Sequence, residues 1–291
     1  MNESELADAF DRQRPRLRAV AYRILGSLSD ADDAVQEAWL RLQRTDVEQI
    51  ESLERWLTTV LARICLNMLR SRRTRREQPL DTFLPEPIID HPTAGPDPEH
   101  EALLAEAVGI ALQVVLEALN PAERLAFVLH DMFAVPFEEI ASMLERSPQA
   151  TRQLASRARR RVRDTAPQPD PDLTRQRAVV DAYFAAAREG DIEGLVAVLD
   201  VDVVLRAHRR NGDPLELHGA ARVAQGAMGA RPFAPYVRPA LVNGAAGAVA
   251  FDGERPFAVL AFTVVGDRAV AIDVFRDPEL VGELDIHGIT A

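Results

Sequence analysis

Phe137-Glu138-Glu139-Ile140-Ala141-Ser142-Met143-Leu144-Glu145-Arg146-Ser147-Pro148-Gln149-Ala150-Thr151-Arg152-Gln153-Leu154-Ala155-Ser156-Arg157-Ala158-Arg159-Arg160-Arg161 reads as two short helices joined by a tight turn. Ile140, Ala141 and Leu144 give the first helix a buried side, with the small Ala141 where two helices would cross closely. Ser147 is a good N-cap and Pro148 a good first-turn residue for the second helix, which continues through Leu154 and Ala158. The pattern fits a helix-turn-helix, in which the N-terminal part of the second helix lies in the major groove. Gln149, Arg152, Gln153 and Ser156 occupy that part, and Arg157 and Arg160 are placed for phosphates. A plain helical hairpin has the same periodicity. Glu145 also stands where such turns commonly carry glycine, so the turn could be drawn differently.

The charge pattern around this segment favours nucleic acid. The formal net charge of −11 argues the other way, but the average conceals a segregation. All 34 basic residues are arginine, with five between Arg70 and Arg76 and six between Arg152 and Arg163. From Glu77 to Glu123 there are ten acids and no arginine. A solvated face would account for one basic cluster. Two clusters, each ending a helical segment and separated by acid, point to two anion-binding patches.

Upstream, residues from about Leu6 to Arg76 read as helices with short turns. The clearest carries Trp56, Leu57, Val60, Leu61, Ile64, Cys65, Met68 and Leu69, neighbouring pairs every four residues that form one stripe. Ser29 followed by Asp32 has the form of a capping box and predicts a helix start there. From Glu77 to about His100 six prolines break the periodicity, so this stretch reads as a linker. Helical pattern returns at Leu103–Leu119, and Asn120-Pro121-Ala122-Glu123 supplies a cap and first turn for the next helix.

Downstream, Ala166-Pro167-Gln168-Pro169-Asp170-Pro171 closes the helical region. Two helical segments follow, about Thr174–Arg188 and Ile192–Leu199. Then come short apolar runs at Val201–Leu205, Ala240–Val242, Gly247–Phe251, Phe257–Val265 and Ala269–Phe275, the last two separated by the turn dipeptide Gly266-Asp267. These predict helices on one face of a curved antiparallel sheet. The expected division is 1–76, a linker at 77–103, 104–165, a linker at 166–173, and 174–291.

Taken together the segments resemble a known family. Asp30-Ala31-Asp32-Asp33-Ala34-Val35-Gln36-Glu37-Ala38-Trp39-Leu40 is similar to the core-polymerase-binding helix in region two of extracytoplasmic-function sigma factors. Trp56-Leu57 through Arg63-Ile64-Cys65-Leu66-Asn67 to the arginine run resembles the family's promoter-melting helices, and Leu119-Asn120-Pro121-Ala122-Glu123-Arg124 through Arg163 its region four. Phe83-Leu84-Pro85-Glu86-Pro87 resembles a linker signature of members with a fused SnoaL-like domain, and Arg276-Asp277-Pro278-Glu279-Leu280 a tail signature of the same group, here without its lysine. A glycine-rich segment typical of that group is replaced by Arg206-Ala207-His208-Arg209-Arg210-Asn211-Gly212-Asp213.

The resemblance implies a multidomain fold: two all-α sigma domains, the second with the helix-turn-helix, then an α+β SnoaL-like (nuclear-transport-factor-like) cone. It implies a core RNA polymerase contact through Asp33, Gln36, Glu37 and Leu40, which share one helix face at i, i+3, i+4 and i+7. The β′ clamp and β flap would be the polymerase partners. Trp56, Arg63, Asn67, Arg70, Arg72 and Arg73 would lie beside the opened minus-ten strand, by stacking and phosphate contact. Gln149, Arg152, Gln153, Ser156, Arg157 and Arg160 would meet the minus-thirty-five element. Phe83, Leu84, Pro85, Glu86, Pro87, Asp277 and Pro278 would serve interdomain regulation in cis.

Asp273 and His208 are where an enzymatic cone would carry its proton-transfer groups, and an inward-facing Asp273 would have its pKa raised by desolvation. Catalysis is not the favoured reading. Neither a P-loop, a dinucleotide fingerprint nor a metal-ligand cluster is visible, so no cofactor or metal is expected; a small ligand of the third domain stays open. The lone Cys65, the absence of a signal-peptide pattern and the absence of a long apolar run predict a cytoplasmic protein without membrane contact. The alternative is a helix-turn-helix regulator with a ligand-binding domain, which leaves the Asp30–Leu40 helix and the first arginine run unexplained.

Overall fold

The computed structural model describes residues 3–76, 85–91, 109–165, 170–208, 215–284, 286 and 289. The chain forms two compact units. The first holds 3–76 and 113–165, and the second holds 85–91, 109–112 and everything described from 170 onward.

In the first unit, α1 (Glu3–Leu25), α2 (Leu28–Gln43) and α3 (Leu53–Arg76) pack as a bundle. Its core is built from Leu17, Val20, Ala21, Ile24 and Leu25 on α1, Ala31, Ala34, Val35, Ala38 and Leu42 on α2, and Leu57, Leu61, Ala62, Ile64 and Cys65 on α3. The small alanines of α2 let the three axes approach closely. The cap of α2 is Ser27, not Ser29. Gly26 ends α1 with φ +73, and the Ser27 hydroxyl accepts from the Asp30 N–H at 3.2 Å. Ser27 and Asp30 therefore form the start signal, two residues earlier than expected, because α1 stops where glycine can turn left-handed.

The chain continues with α4 (Ile110–Glu117), which belongs to this unit from Gln113 onward, then α5 (Pro121–Phe127), a π-helical turn at Val128–Met132, α6 (Phe137–Leu144) and α7 (Pro148–Thr165). Asn120 caps α5, accepting from the Glu123 N–H at 2.9 Å. Ser147 caps α7, accepting from the Ala150 N–H at 3.2 Å. Between α6 and α7, Glu145 itself adopts the left-handed conformation at φ 55, so the turn is drawn as the sequence suggests despite the missing glycine.

The second unit sets α8 (Leu173–Glu189), α9 (Ile192–Val198) and α10 (Ala220–Ala230) against one sheet. Its strands are β1 (Ile89–Asp90), β2 (Leu199–His208), β3 (Leu215–His218), β4 (Val237–Val242), β5 (Ala245–Asp252), β6 (Arg255–Val265) and β7 (Arg268–Phe275), in the order β1-β4-β5-β6-β7-β2-β3. The sheet is mixed, which corrects the expected all-antiparallel arrangement. β2 and β3 form a hairpin, α10 crosses over, and the β4–β7 meander returns so that β7 runs parallel to β2. A short helix, α11 (Pro278–Glu283), follows the last strand.

The two sheet faces carry different layers. One packs on α8–α10 through Phe262, Val264, Ile272 and Val274, with Tyr183, Phe184 and Phe262 in mutual edge-to-face contact. The other, with Val242, Val249, Phe251, Val259 and Phe275, gathers Ile89, Ile110, Leu284 and Ile289. Among the described residues no helix is long and apolar enough to cross a membrane.

Candidate nucleic-acid and protein-binding surfaces

On α2 the buried residues Ala31, Ala34, Val35, Ala38 and Leu42 leave the opposite face to solvent. Asp33, Gln36 and Leu40 are exposed there, with Glu37 half-buried and paired to Arg41 at 2.8 Å. Leu40 is 37% exposed on that face. Trp39, one residue earlier, turns back onto Phe10 with ring centroids 4.9 Å apart. The four residues expected to meet a protein partner thus lie together on one accessible ridge.

The next set lies on α3. Arg63, Asn67 and Arg70 are exposed at i, i+4 and i+7, and Trp56 is half-buried one turn pair earlier on the same stripe. Arg72 does not join them. Its guanidinium donates to the Leu25 carbonyl at 2.7 Å and pairs with Asp30, so it closes the C-terminal end of α1. Arg73 belongs to α3, but its side chain lies outside the described residues.

Within this unit the α3 stripe faces α6. Arg63 donates to the Ser142 carbonyl at 3.5 Å, and Arg55 pairs with Glu139 at 3.1 Å. A second junction lies at the end of α1, where Arg124, 1% exposed, donates to the Arg23 carbonyl at 3.4 Å and pairs with Glu117. Gln113 donates to the same carbonyl at 3.5 Å. A Cβ on Gly26 would stand 2.6 Å from Glu117 Oε1, so a larger residue there would have to displace that carboxylate besides adopting a left-handed φ of +73. Arg55, Glu139 and Arg124 were not singled out from sequence. Nothing in a linear pattern distinguishes a buried junction arginine from a solvated one.

On α7, Gln149, Arg152, Gln153, Ser156, Arg157 and Arg160 are all exposed, while Thr151, Leu154, Ala155 and Ala158 are buried on the opposite side. Two of the six are held by carboxylates of their own domain. Arg152 pairs with Glu138 at 2.6 Å and Arg157 with Glu123 at 2.8 Å. Arg159 pairs with Asp131, which leaves the exposed row to its neighbours.

In the second unit the former linker takes part in the sheet. Ile89 and Asp90 pair antiparallel with Val242 and Leu241. Asn243, 1% exposed at φ 50 in an Asn-Gly turn, accepts the Ile88 N–H on its Oδ1 at 3.0 Å and donates its own N–H to the Ile88 carbonyl at 2.8 Å. Pro85 and Pro87 are buried and Glu86 is half-buried; Phe83 and Leu84 lie outside the described residues. Asp277 and Pro278 begin α11, Asp277 capping it through the Glu279 and Leu280 N–H groups at 3.1 and 3.0 Å. The tail behind them supplies Leu284 and Ile289 to the cluster that holds Ile89.

Asp273 does not face the helix-covered side. It alternates with Ile272 and Val274, which do, and it lies fully buried on the opposite side. Its carboxylate accepts from Arg206 Nε at 2.9 Å and Arg206 Nη2 at 3.4 Å, and contacts His208 Nε2 at 2.8 Å. His208 stacks on Phe275. The candidate pocket base is therefore a strut that ties β7 to β2 through Arg206 and His208.

Residues 9–75 match the family model for sigma-70 region 2, and residues 110–162 the model for sigma-70 region 4. The chain is 39% identical to the ECF RNA polymerase sigma factor SigJ of Mycobacterium tuberculosis, over 93% of this chain and 91% of the relative. It is 32% identical to the probable ECF RNA polymerase sigma factor SigI of the same species, over 95% and 94%. The crystal structure of Mycobacterium tuberculosis SigJ matches with a TM-score of 0.78 at 34% identity, covering 96% of this chain and all of that one.

Proposed function

The chain belongs to the extracytoplasmic-function RNA polymerase sigma factors, and on that premise we propose which surfaces carry its activity and how its SnoaL-like domain governs them. The α2 ridge of Asp33, Gln36, Glu37 and Leu40 binds the β′ clamp of core polymerase. There, acids meet arginines through charge-assisted bonds around the exposed Leu40. Region four engages the β flap and places α7 in the major groove of the minus-thirty-five element. Trp56, Arg63, Asn67 and Arg70 line the opened minus-ten strand. The protein works in the cytoplasm, with polymerase. The observation that carries this reading is the shared accessible face of Asp33, Gln36 and Leu40 opposite the buried side of α2.

Asp33→Arg combined with Gln36→Ala tests it. The folded double variant is expected to lose capture of core polymerase, because charge reversal sets like charges face to face. Capture at wild-type strength by that variant would refute the assignment.

Control in cis follows from two features. Arg63 of the minus-ten surface and its neighbour Arg55 are engaged by Ser142 and Glu139 of region four, so α3 and α6 must part before Arg63 is released to the strand. The chain joining the two regions is held on the SnoaL-like sheet at Ile88–Asp90 and again at Ile110. Holding that chain shortens the free connection between regions two and four and favours the closed arrangement; core polymerase competes with it. Glu139→Arg is expected to loosen the closed state and raise minus-ten strand binding by the free protein. Unaltered binding would remove this step.

A further inference from the structure

The turn before the helix-turn-helix has a shape that neither the polymerase contact nor the promoter rows use. Val128–Met132 winds as a π-helix, an inserted residue's worth of slack that α-helices tolerate rarely and mostly at working sites. The chain then reverses through Ala134 at φ 54, with the Val135 N–H donating to the Leu129 carbonyl at 2.9 Å. His130 emerges from this turn and is fixed by its own bond. Its Nδ1 lies 3.0 Å from the Val135 carbonyl, which can only accept, so Nδ1 carries the hydrogen.

Held this way, the imidazole stacks on Phe137, the first residue of α6, with centroids 3.7 Å apart and planes 27° apart. Phe137 in turn meets the recognition helix, since the Arg152 guanidinium carbon stands 5.6 Å from its ring centroid. Glu138, the next residue, holds the same guanidinium at 2.6 Å. Arg152 is exposed, and a long exposed arginine loses rotamer freedom when it contacts a base. Here the freedom is already restricted on the apolar side by a ring and on the polar side by a carboxylate.

We propose that His130 is a positioning residue for promoter selectivity: through its stack on Phe137 it fixes the platform that aims Arg152 at its base. The proposal rests on the reading of Arg152 as a base contact. It distinguishes Arg152 from Arg160 on the same helix, which no such stack supports among the described residues.

The test uses holoenzyme reconstituted from core polymerase and full-length protein, scored on a library randomised across the minus-thirty-five element. Arg152→Ala is expected to relax preference at one position by about five- to a hundredfold. His130→Ala is expected to relax the same position by about two- to tenfold and His130→Phe, which keeps a stacking ring, to retain most of it. His130→Ala in the Arg152→Ala background is expected to add nothing. Phe137→Leu, which keeps apolar volume and removes the ring, is expected to reproduce His130→Ala and guards against a variant that fails to fold. A relaxed Arg152→Ala with unaltered preference in His130→Ala and Phe137→Leu would overturn the positioning role alone. So would effects of His130→Ala that add to those of Arg152→Ala. Unaltered preference in Arg152→Ala would overturn the base contact and the proposal with it.

Discussion

Single residues carry costs that the lineage's fold accepts. Glu145 holds a left-handed backbone that penalises any side chain with a Cβ, by roughly 1–2 kcal/mol, partly offset in glycine by its greater unfolded freedom. Glu145→Gly is therefore expected to stabilise the first unit by about 0.5–1 kcal/mol in denaturant titration, with the helix-turn-helix retained. Cys65 shows a second cost. Burial pushes its thiol from 9.0 up to about 12, against smaller opposing effects of a backbone hydrogen bond and Arg124. Because the folded value lies above the unfolded one, its contribution to stability is intact below pH 9 and is lost as pH climbs from 9.0 toward about 12. Cys65→Ala should flatten that part of the alkaline stability curve, and an identical slope in both proteins would contradict this. The burial of Cys65 was legible from its place in a stripe that repeats every four residues. The left-handed Glu145 was legible only as an anomaly, because a sequence shows which residue occupies a turn and not the backbone it accepts.

Elements were legible in proportion to how strongly their apolar residues contrast with their neighbours. The stripe of α3 and the runs of β5, β6 and β7 stand out from polar surroundings, whereas α10 does not. Its buried Ala220, Val223, Ala224 and Ala227 do follow a helical period, but Gly226 and Gly229 and the small side chains leave little contrast. β1 was invisible for a different reason. A two-residue strand has no period, and its pairing is written in the partner turn at Asn243-Gly244. Asn243→Gly isolates that clip, since it keeps the left-handed turn and removes only the side chain that accepts from Ile88. Amide exchange at Ile88–Asp90 is expected to rise while the rest of the sheet keeps its protection; unaltered exchange would mean the strand is held by other contacts. The recognition helix makes a separate prediction from its two kinds of arginine. Arg152→Ala and Gln153→Ala should each relax preference for particular bases, a base contact being worth roughly 1–3 kcal/mol. Arg160→Ala should weaken binding to all sequences and lower its salt dependence. Identical behaviour of the Arg152 and Arg160 variants across a promoter library would show that the register of α7 in the groove is drawn wrongly.

For the whole molecule, the net charge of −11 would deter any nucleic-acid reading, and only the segregation of its arginines restores it. The same segregation puts the acidic stretch in the chain that joins the two sigma regions, and there the SnoaL-like domain takes hold. The sheet face that receives Ile89 also receives Leu284 and Ile289 from the tail, so linker and tail share one apolar cluster. That sharing makes linker and tail joint cover for one apolar face. Truncation before Asp172 removes the sheet and frees the linker, and is expected to change promoter-dependent transcription with reconstituted holoenzyme. Truncation after Phe275 keeps the sheet and removes α11, leaving Phe251, Val259 and Phe275 without the tail's side chains. A face so bared retains its hold on Ile89 and Ile110 as its remaining cover and gains no competitor. The shorter truncation is therefore expected to lower transcription, the direction that the tail resemblance also implies. Leu284→Asp in the full chain should give the same direction with α11 still present, which separates loss of packing from loss of chain. If both truncated proteins transcribe like the full chain at every promoter tested, the domain does not act in cis, and binding of a separate ligand becomes its better explanation.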